Sequence, residues 1–314
     1  MSTNCALAAD PVPRGTSTAR RPSTTTHATV TADDTPIRID SHAHVFRRDL
    51  PLVADFRHAP QRDALLPELL GLFDQHGITH GVLTAPSFFG TDNAFLLSAL
   101  AAAPERLRGT VIVDETISRD ALEAMDRAGV VGIRFNMLRR TDLPDLRTAP
   151  WRRVLEAVAA MDWHVEIYVE GPRLPALLAP ALDVGAKVVV DHFGSPDPLL
   201  RLGCPGFRAL LAAMSAGRTW VKLSAPYRLG GVDARPYAHA LMEAGGAGQL
   251  VWASDWPWTQ HSEALTYART LEWLSEWVPD AAMRARILGA TPWALFGFAK
   301  RAPQSSAGSG SSVH

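Results

Sequence analysis

The sequence predicts a single-domain α/β protein built as a (β/α)8 TIM barrel. Eight short apolar or β-branched runs recur along the chain, and between them lie longer segments with apolar residues at three-to-four spacing. The third observation is length, since 314 residues accommodate eight βα units, which take about 250, with tails to spare.

The first run, "IRIDSHAHV", is followed by the helix pattern "ALLPELLGLFDQHG", whose final glycine marks a helix end. "HGVLTAPS" comes next and leads into "DNAFLLSALAAAPER". The third run, "RGTVIVD", precedes "SRDALEAMDRAG", again closed by glycine. "VGIRFN" is the fourth, with "WRRVLEAVAAMD" after it, and "HVEIYVE", "AKVVVDHF", "TWVKLS" and "LVWASDWP" complete the set. Near-continuous Val and Ile in several of these runs suit strands buried on both faces, as in a parallel sheet.

The barrel domain is expected over residues 37–300. Residues 1–36, rich in Ser, Thr, Pro and Arg without apolar periodicity, are expected to be a disordered tail, and residues 301–314 a flexible Gly/Ser tail. The leading segment lacks the apolar stretch of a secretory signal, although its Arg and Ser content leaves a transit peptide as an alternative. No stretch approaches the roughly 20 apolar residues of a membrane span. The net charge of -1, from 31 basic and 32 acidic residues, creates no field to attract nucleic acid or anionic lipid. Cys5 and Cys204 are the only cysteines, too few for a disulfide framework or a cysteine zinc site. A cytoplasmic protein acting on a small molecule is the expectation.

In a barrel of this kind the chemistry sits at the C-terminal ends of the strands. Those ends carry His42 and His44, Ser87, Arg134 and Asn136, Tyr168 and Glu170, Asp191 and His192, Ser224 with Tyr227 and Arg228, and Ser254 with Asp255. Burying so many polar groups without partners would be costly, so a shared polar site accounts for them. Strand alternation points His42 and His44 to the same side. Asp255, flanked by aromatics in "WASDWPW", is the candidate base, the alternative being a helix N-cap. Arg134, in an otherwise apolar strand, requires an anion, either a protein acid or a substrate carboxylate. Arg228 offers a second guanidinium, and together the two suggest an anionic, dicarboxylate substrate. Arg47, Arg48, Arg139 and Arg140 read as ordinary loop pairs, and His58, His76, His80, His164, His239 and His261 as solvated or structural.

The motifs "DSHAHVF", "PSFFGTDNAFLL", "GIRFN", "VVVDHFG", "VKLSAPYRL" and "ASDWPW" resemble the amidohydrolase superfamily, and within it the amidohydrolase-related lactonases of the 2-pyrone-4,6-dicarboxylate hydrolase group. The resemblance spans about residues 37 to 300 and implies hydrolysis of a lactone or oxygen ester in aromatic degradation. It implies that Asp255 is the general base for water and that His42, His44 and His192 polarise the scissile carbonyl. Arg134, Arg228, Tyr227, Ser87, Thr91 and Tyr168 would surround the substrate's carboxylates. Binuclear relatives use a Lys after strand 4, where this chain reads "GIRFNMLRR", and mononuclear ones add a strand 5 His, where it reads "VEIYVEG". The resemblance therefore implies no cofactor. The alternative is one divalent metal such as zinc on His42, His44, His192 and Asp255, in a hydrolase or decarboxylase. A noncatalytic carboxylate-binding barrel is the alternative of another class, although binding alone needs no base beside the arginines.

Overall fold

The structure, a computed structural model, describes Met1 and residues 36–301. Apart from residues 1, 36 and 301, the two expected tails lie outside the described residues. Eight strands form one parallel sheet in chain order: β1 (Ile39–Ala43), β2 (His80–Thr84), β3 (Leu107–Val111), β4 (Val130–Asn136), β5 (His164–Tyr168), β6 (Lys187–Val190), β7 (Thr219–Leu223) and β8 (Leu250–Trp252). Beyond β8 the chain returns to β1. The amide of His44 donates to the Trp256 carbonyl at 2.8 Å and that of Asp255 to the His42 carbonyl at 3.0 Å, which closes the barrel.

The intervening helices are α1 (Leu66–His76), α2 (Ala94–Ala102), α3 (Arg119–Arg127), α4 (Ala149–Ala160), α5 (Pro175–Asp183), α6 (Pro205–Ser215) and α7 (Arg235–Gly245). After β8 come α8 (Tyr267–Trp277), α9 (Ala281–Leu288) and α10 (Ala290–Leu295). Their ends follow local chemistry. Gly77 caps α1 at φ 65°, a left-handed conformation glycine adopts without a Cβ clash, and the Ser118 side chain accepts from the Ala121 amide at the start of α3. Among the described residues no helix is long and apolar enough to cross a membrane.

Most of the apolar core lies between the sheet and the helix ring, where α1 contributes Leu69 and Phe73 and α4 contributes Val154, Leu155 and Val158. A second cluster, Ile39, Val82, Val189 and Val251 with Leu295, Phe296 and Phe298, packs the N-terminal ends of the strands against the C-terminal segment. His164, the first residue of β5, packs against Phe296 of this cluster, and further along the strands come the buried polar residues Arg134, Glu166 and Lys222. Gly132 lets this packing close: a Cβ there would meet the His164 ring at 2.4 Å.

Several strands are shorter than the apolar runs suggested. β6 stops at Val190 and β8 at Trp252, because His192 and Asp255 adopt φ of 48° and 58° and turn out of the ladder. Left-handed backbone costs a non-glycine residue roughly 1–2 kcal/mol, so surrounding contacts must hold it. Asp40 supplies part of that hold: its carboxylate accepts from the Ser254 amide at 3.0 Å, the Ser254 hydroxyl and the Tyr267 hydroxyl. Burial raises the Asp40 pKa, partly offset by those bonds.

Candidate active site

The turned-out strand ends line a cavity of about 280 Å³ at the C-terminal mouth of the barrel. Asp255, almost fully buried, is the hub. Its Oδ2 accepts from the Tyr227 hydroxyl at 2.7 Å and from Arg228 Nε and Nη2 at 3.0 and 2.9 Å. Its Oδ1 faces three imidazoles, with Nε2 of His42, His44 and His192 at 3.6, 3.8 and 3.7 Å. Burial alone would raise the Asp255 pKa, but the Arg228 guanidinium, the largest opposing influence, holds the carboxyl well below the usual carboxylate range. Asp255 is therefore ionised.

Each histidine is oriented through its other nitrogen. His44 Nδ1 lies 2.7 Å from the Thr84 carbonyl oxygen, His192 Nδ1 2.8 Å from the Ser224 hydroxyl, and His42 Nδ1 2.8 Å from Lys222 Nζ. Burial drives His192 down to about 3 and His44 well below its ordinary value, so both are neutral near pH 7.

Beneath the hub lies a dry ionic layer. Lys222 pairs with Glu166 and, at 3.1 Å, with Asp191, while Arg134 reaches the same two acids at 2.9 and 3.0 Å. Desolvation and Asp191 push the Glu166 pKa up, yet Lys222, with smaller help from a His164 hydrogen bond, brings it down to about 2. For Asp191 the largest influence is again burial, overridden chiefly by the Lys222 ammonium and then the Arg134 guanidinium, and its pKa falls well below the ordinary value.

The strand-end residues expected to form one site are brought together. His44, His192, Asp255, Arg134, Arg228, Tyr227, Tyr168 and Ser87 all line the cavity. His42 sits just behind, fully buried. Thr91 is a correction: it is exposed and does not line the cavity, because the chain turns away at Gly90, where φ is 55°, before α2 begins. Arg134 meets protein acids, Glu166 and Asp191, and also lines the cavity. Arg228 is likewise engaged, by Asp255.

Three side chains read as solvated or structural prove to line the cavity: His58, His261 and, from the loop pair, Arg139. Arg57, which carried no signal, is the most consequential. It enters from the segment after β1, donates to Asn136 Oδ1 at 2.8 Å and Ser87 Oγ at 3.2 Å, and among the described residues has no carboxylate partner. Nothing in a polar loop distinguishes such a residue before the loop is placed.

By type and spacing, His42 Nε2, His44 Nε2 and Asp255 Oδ1 could hold a divalent metal, since they lie 3.1 to 3.8 Å from one another. A metal-bound imidazole normally donates its distal N–H to an acceptor. His44 meets that condition at Thr84, but the group nearest His42 Nδ1 is the Lys222 ammonium at 2.8 Å, which only donates, with the Asp191 carboxylate farther away at 3.3 Å. The set as arranged does not fit a metal.

An eight-stranded parallel barrel with an HxH pair, a strand 6 histidine and a strand 8 aspartate at its mouth defines the class of amidohydrolase barrels. The comparison with protein families agrees: residues 39–298 match the amidohydrolase family, and the chain belongs to it. Among curated relatives it is 28% identical over 274 residues to 4-sulfomuconolactone hydrolase of Rhizobium radiobacter, covering 82% of this chain and 89% of that protein. It is also 28% identical over 278 residues to 2-pyrone-4,6-dicarboxylate hydrolase of Comamonas testosteroni, at the same coverage. A crystal structure from Pseudomonas putida, described as a candidate 2-pyrone-4,6-dicarboxylic acid hydrolase, superposes with a TM-score of 0.78 at 43% identity, over 84% of this chain and 98% of that one.

Proposed function

We propose that this protein is a hydrolase that opens the lactone of a small carboxylate-bearing compound, resembling 2-pyrone-4,6-dicarboxylate, without a cofactor. The observation that carries the reading is the ionised Asp255, aiming Oδ1 at three imidazoles on the floor of a cavity whose wall carries Arg57. Water beside Oδ1 loses its proton to the carboxylate as it adds to the lactone carbonyl, and N–H donors around the floor stabilise the oxyanion. The ion pair with Arg228 weakens Asp255 as a base. A substrate carboxylate that draws Arg228 away restores that basicity, which couples turnover to the correct anion. Arg57 and Arg139 supply positive charge for a carboxylate, and Tyr168 and Tyr227 wall the ring.

The relatives' names support the reaction type, sulfomuconolactone and pyrone dicarboxylate both being cyclic esters with acidic groups. A metal-dependent hydrolase or decarboxylase is the second reading, favoured by the spacing of His42, His44 and Asp255. The deciding experiment is a screen of carboxylated lactones using protein purified with chelator, with and without added zinc or manganese. Turnover by protein carrying far less than one metal equivalent is expected. Activity that vanishes on metal removal and returns on re-addition selects the second reading.

A further inference from the structure

The motif "VKLSAPYRL" supplies Tyr227 and Arg228 to the site, but its lysine has no role in the chemistry above. Lys222 is fully buried. A lysine in the middle of a barrel is costly unless its ammonium is paired, and here it hydrogen-bonds Glu166 Oε2 and His42 Nδ1, the latter at 2.8 Å, with Asp191 Oδ1 as an ion-pair partner at 3.1 Å.

An ammonium has three donors and no acceptor, so the contact with His42 fixes a direction. Nδ1 of His42 accepts, and its ring proton stands on Nε2. Asp191 Oδ1 and Glu166 Oε1 lie farther from that Nδ1, at 3.3 and 3.6 Å, than Lys222 Nζ does at 2.8 Å. A proton placed on Nδ1 to serve them would confront the ammonium.

The neighbouring contacts agree. His42 Nε2 lies 3.1 Å from His44 Nε2, a pairing that needs one proton and one lone pair. The Thr84 carbonyl oxygen, 2.7 Å from His44 Nδ1, only accepts, which places the His44 proton on Nδ1 and leaves its Nε2 bare. Lys222 to His42, His42 to His44, and His44 to Thr84 thus form a chain running one way, with one donor and one acceptor at every contact.

We propose that Lys222 is a positioning residue that holds His42 as its Nε2–H tautomer, so that the two histidines of the HxH pair act oppositely, His42 as donor and His44 as acceptor. His42 brings a hydrogen to the centre formed by His44 Nε2 and Asp255 Oδ1, where a metal would require a lone pair. Its effect on turnover rests on the lactonase reading; the tautomer itself does not, so the two can fail separately.

The test is ¹⁵N NMR of the full-length protein with labelled histidine, the His42 signal being assigned by its loss in His42→Gln. In the wild type, His42 is expected to carry its proton on Nε2 and His44 on Nδ1. The compensated variant Lys222→Met with Glu166→Gln removes one charge of each sign from the dry layer and keeps its balance. In it, His42 is expected to turn to the Nδ1–H tautomer and zinc to bind at least about tenfold more tightly in a competition titration. In the same variant kcat should fall by about 10- to 100-fold, as for other orienting partners of active-site histidines, with KM nearly unchanged. A wild-type His42 protonated on Nδ1, or a folded variant whose His42 tautomer does not move, overturns the proposal. Should the variant not fold, the wild-type spectrum still decides.

Discussion

Replacing Asp255 by Asn changes one oxygen to an amide nitrogen and removes a single charge. With the amide oxygen in place of Oδ2, it still accepts from Tyr227 at 2.7 Å and from Arg228 at 2.9 and 3.0 Å. The amide nitrogen then occupies the Oδ1 position, beside the bare Nε2 of His44 that can accept from it. The fold should survive. Charge-assisted hydrogen bonds are about twice as strong as neutral ones, so three contacts at a net loss of about 1 kcal/mol each cost about 3 kcal/mol, or roughly 6–12 °C of melting temperature. Catalytically the variant cannot take a proton from water. General-base assistance contributes roughly 10²–10⁴-fold, which at 1.36 kcal/mol per tenfold is about 2.7–5.5 kcal/mol of barrier. The assay pairs kcat/KM on the lactone found by screening, measured with chelated enzyme, with a thermal melt by circular dichroism. A folded variant retaining more than about a tenth of wild-type rate would refute Asp255 as the base.

Arg57→Met and Arg134→Met should diverge. The first is expected to weaken a carboxylate substrate by tenfold or more relative to its neutral ester, read as KM, with stability little changed. The second leaves Glu166 and Asp191 with Lys222 alone and should cost about 3–5 kcal/mol of stability in a denaturant titration; equal effects from both would refute the division of labour. Acid should destabilise the protein between pH 7 and 5. His44 and His192 are held neutral in the fold, His192 down to about 3, whereas the unfolded chain protonates both below about 6.5. The unfolded state therefore binds more protons as pH falls, and each histidine removes up to about 1.4 kcal/mol per pH unit. A urea midpoint that is flat or rising over that interval would contradict the buried neutral pair.

The sequence by itself determined the eight βα units and the identity of the hub. Strand alternation places His42 and His44 on one side, and the rule that barrels work at strand ends selects His192, Tyr227, Arg228 and Asp255 without knowledge of any distance. These readings depend on local period and on chain order, which are written into consecutive residues. What faces what depends instead on register around the closed barrel. Lys222 meets His42 across 180 residues, and Ser254 meets Asp40 across 214. The arginines show the difference most clearly, for sequence could say that Arg134 needs an anion but not that Glu166 and Asp191 supply it. Arg57, His58 and His261 come from loops without periodicity, and only folding brings them over the cavity, just as it carries Thr91 away. The direction of the hydrogen-bond chain from Lys222 to Thr84 likewise exists only in three dimensions, because a histidine's tautomer is fixed by the donors and acceptors that packing sets against its two nitrogens.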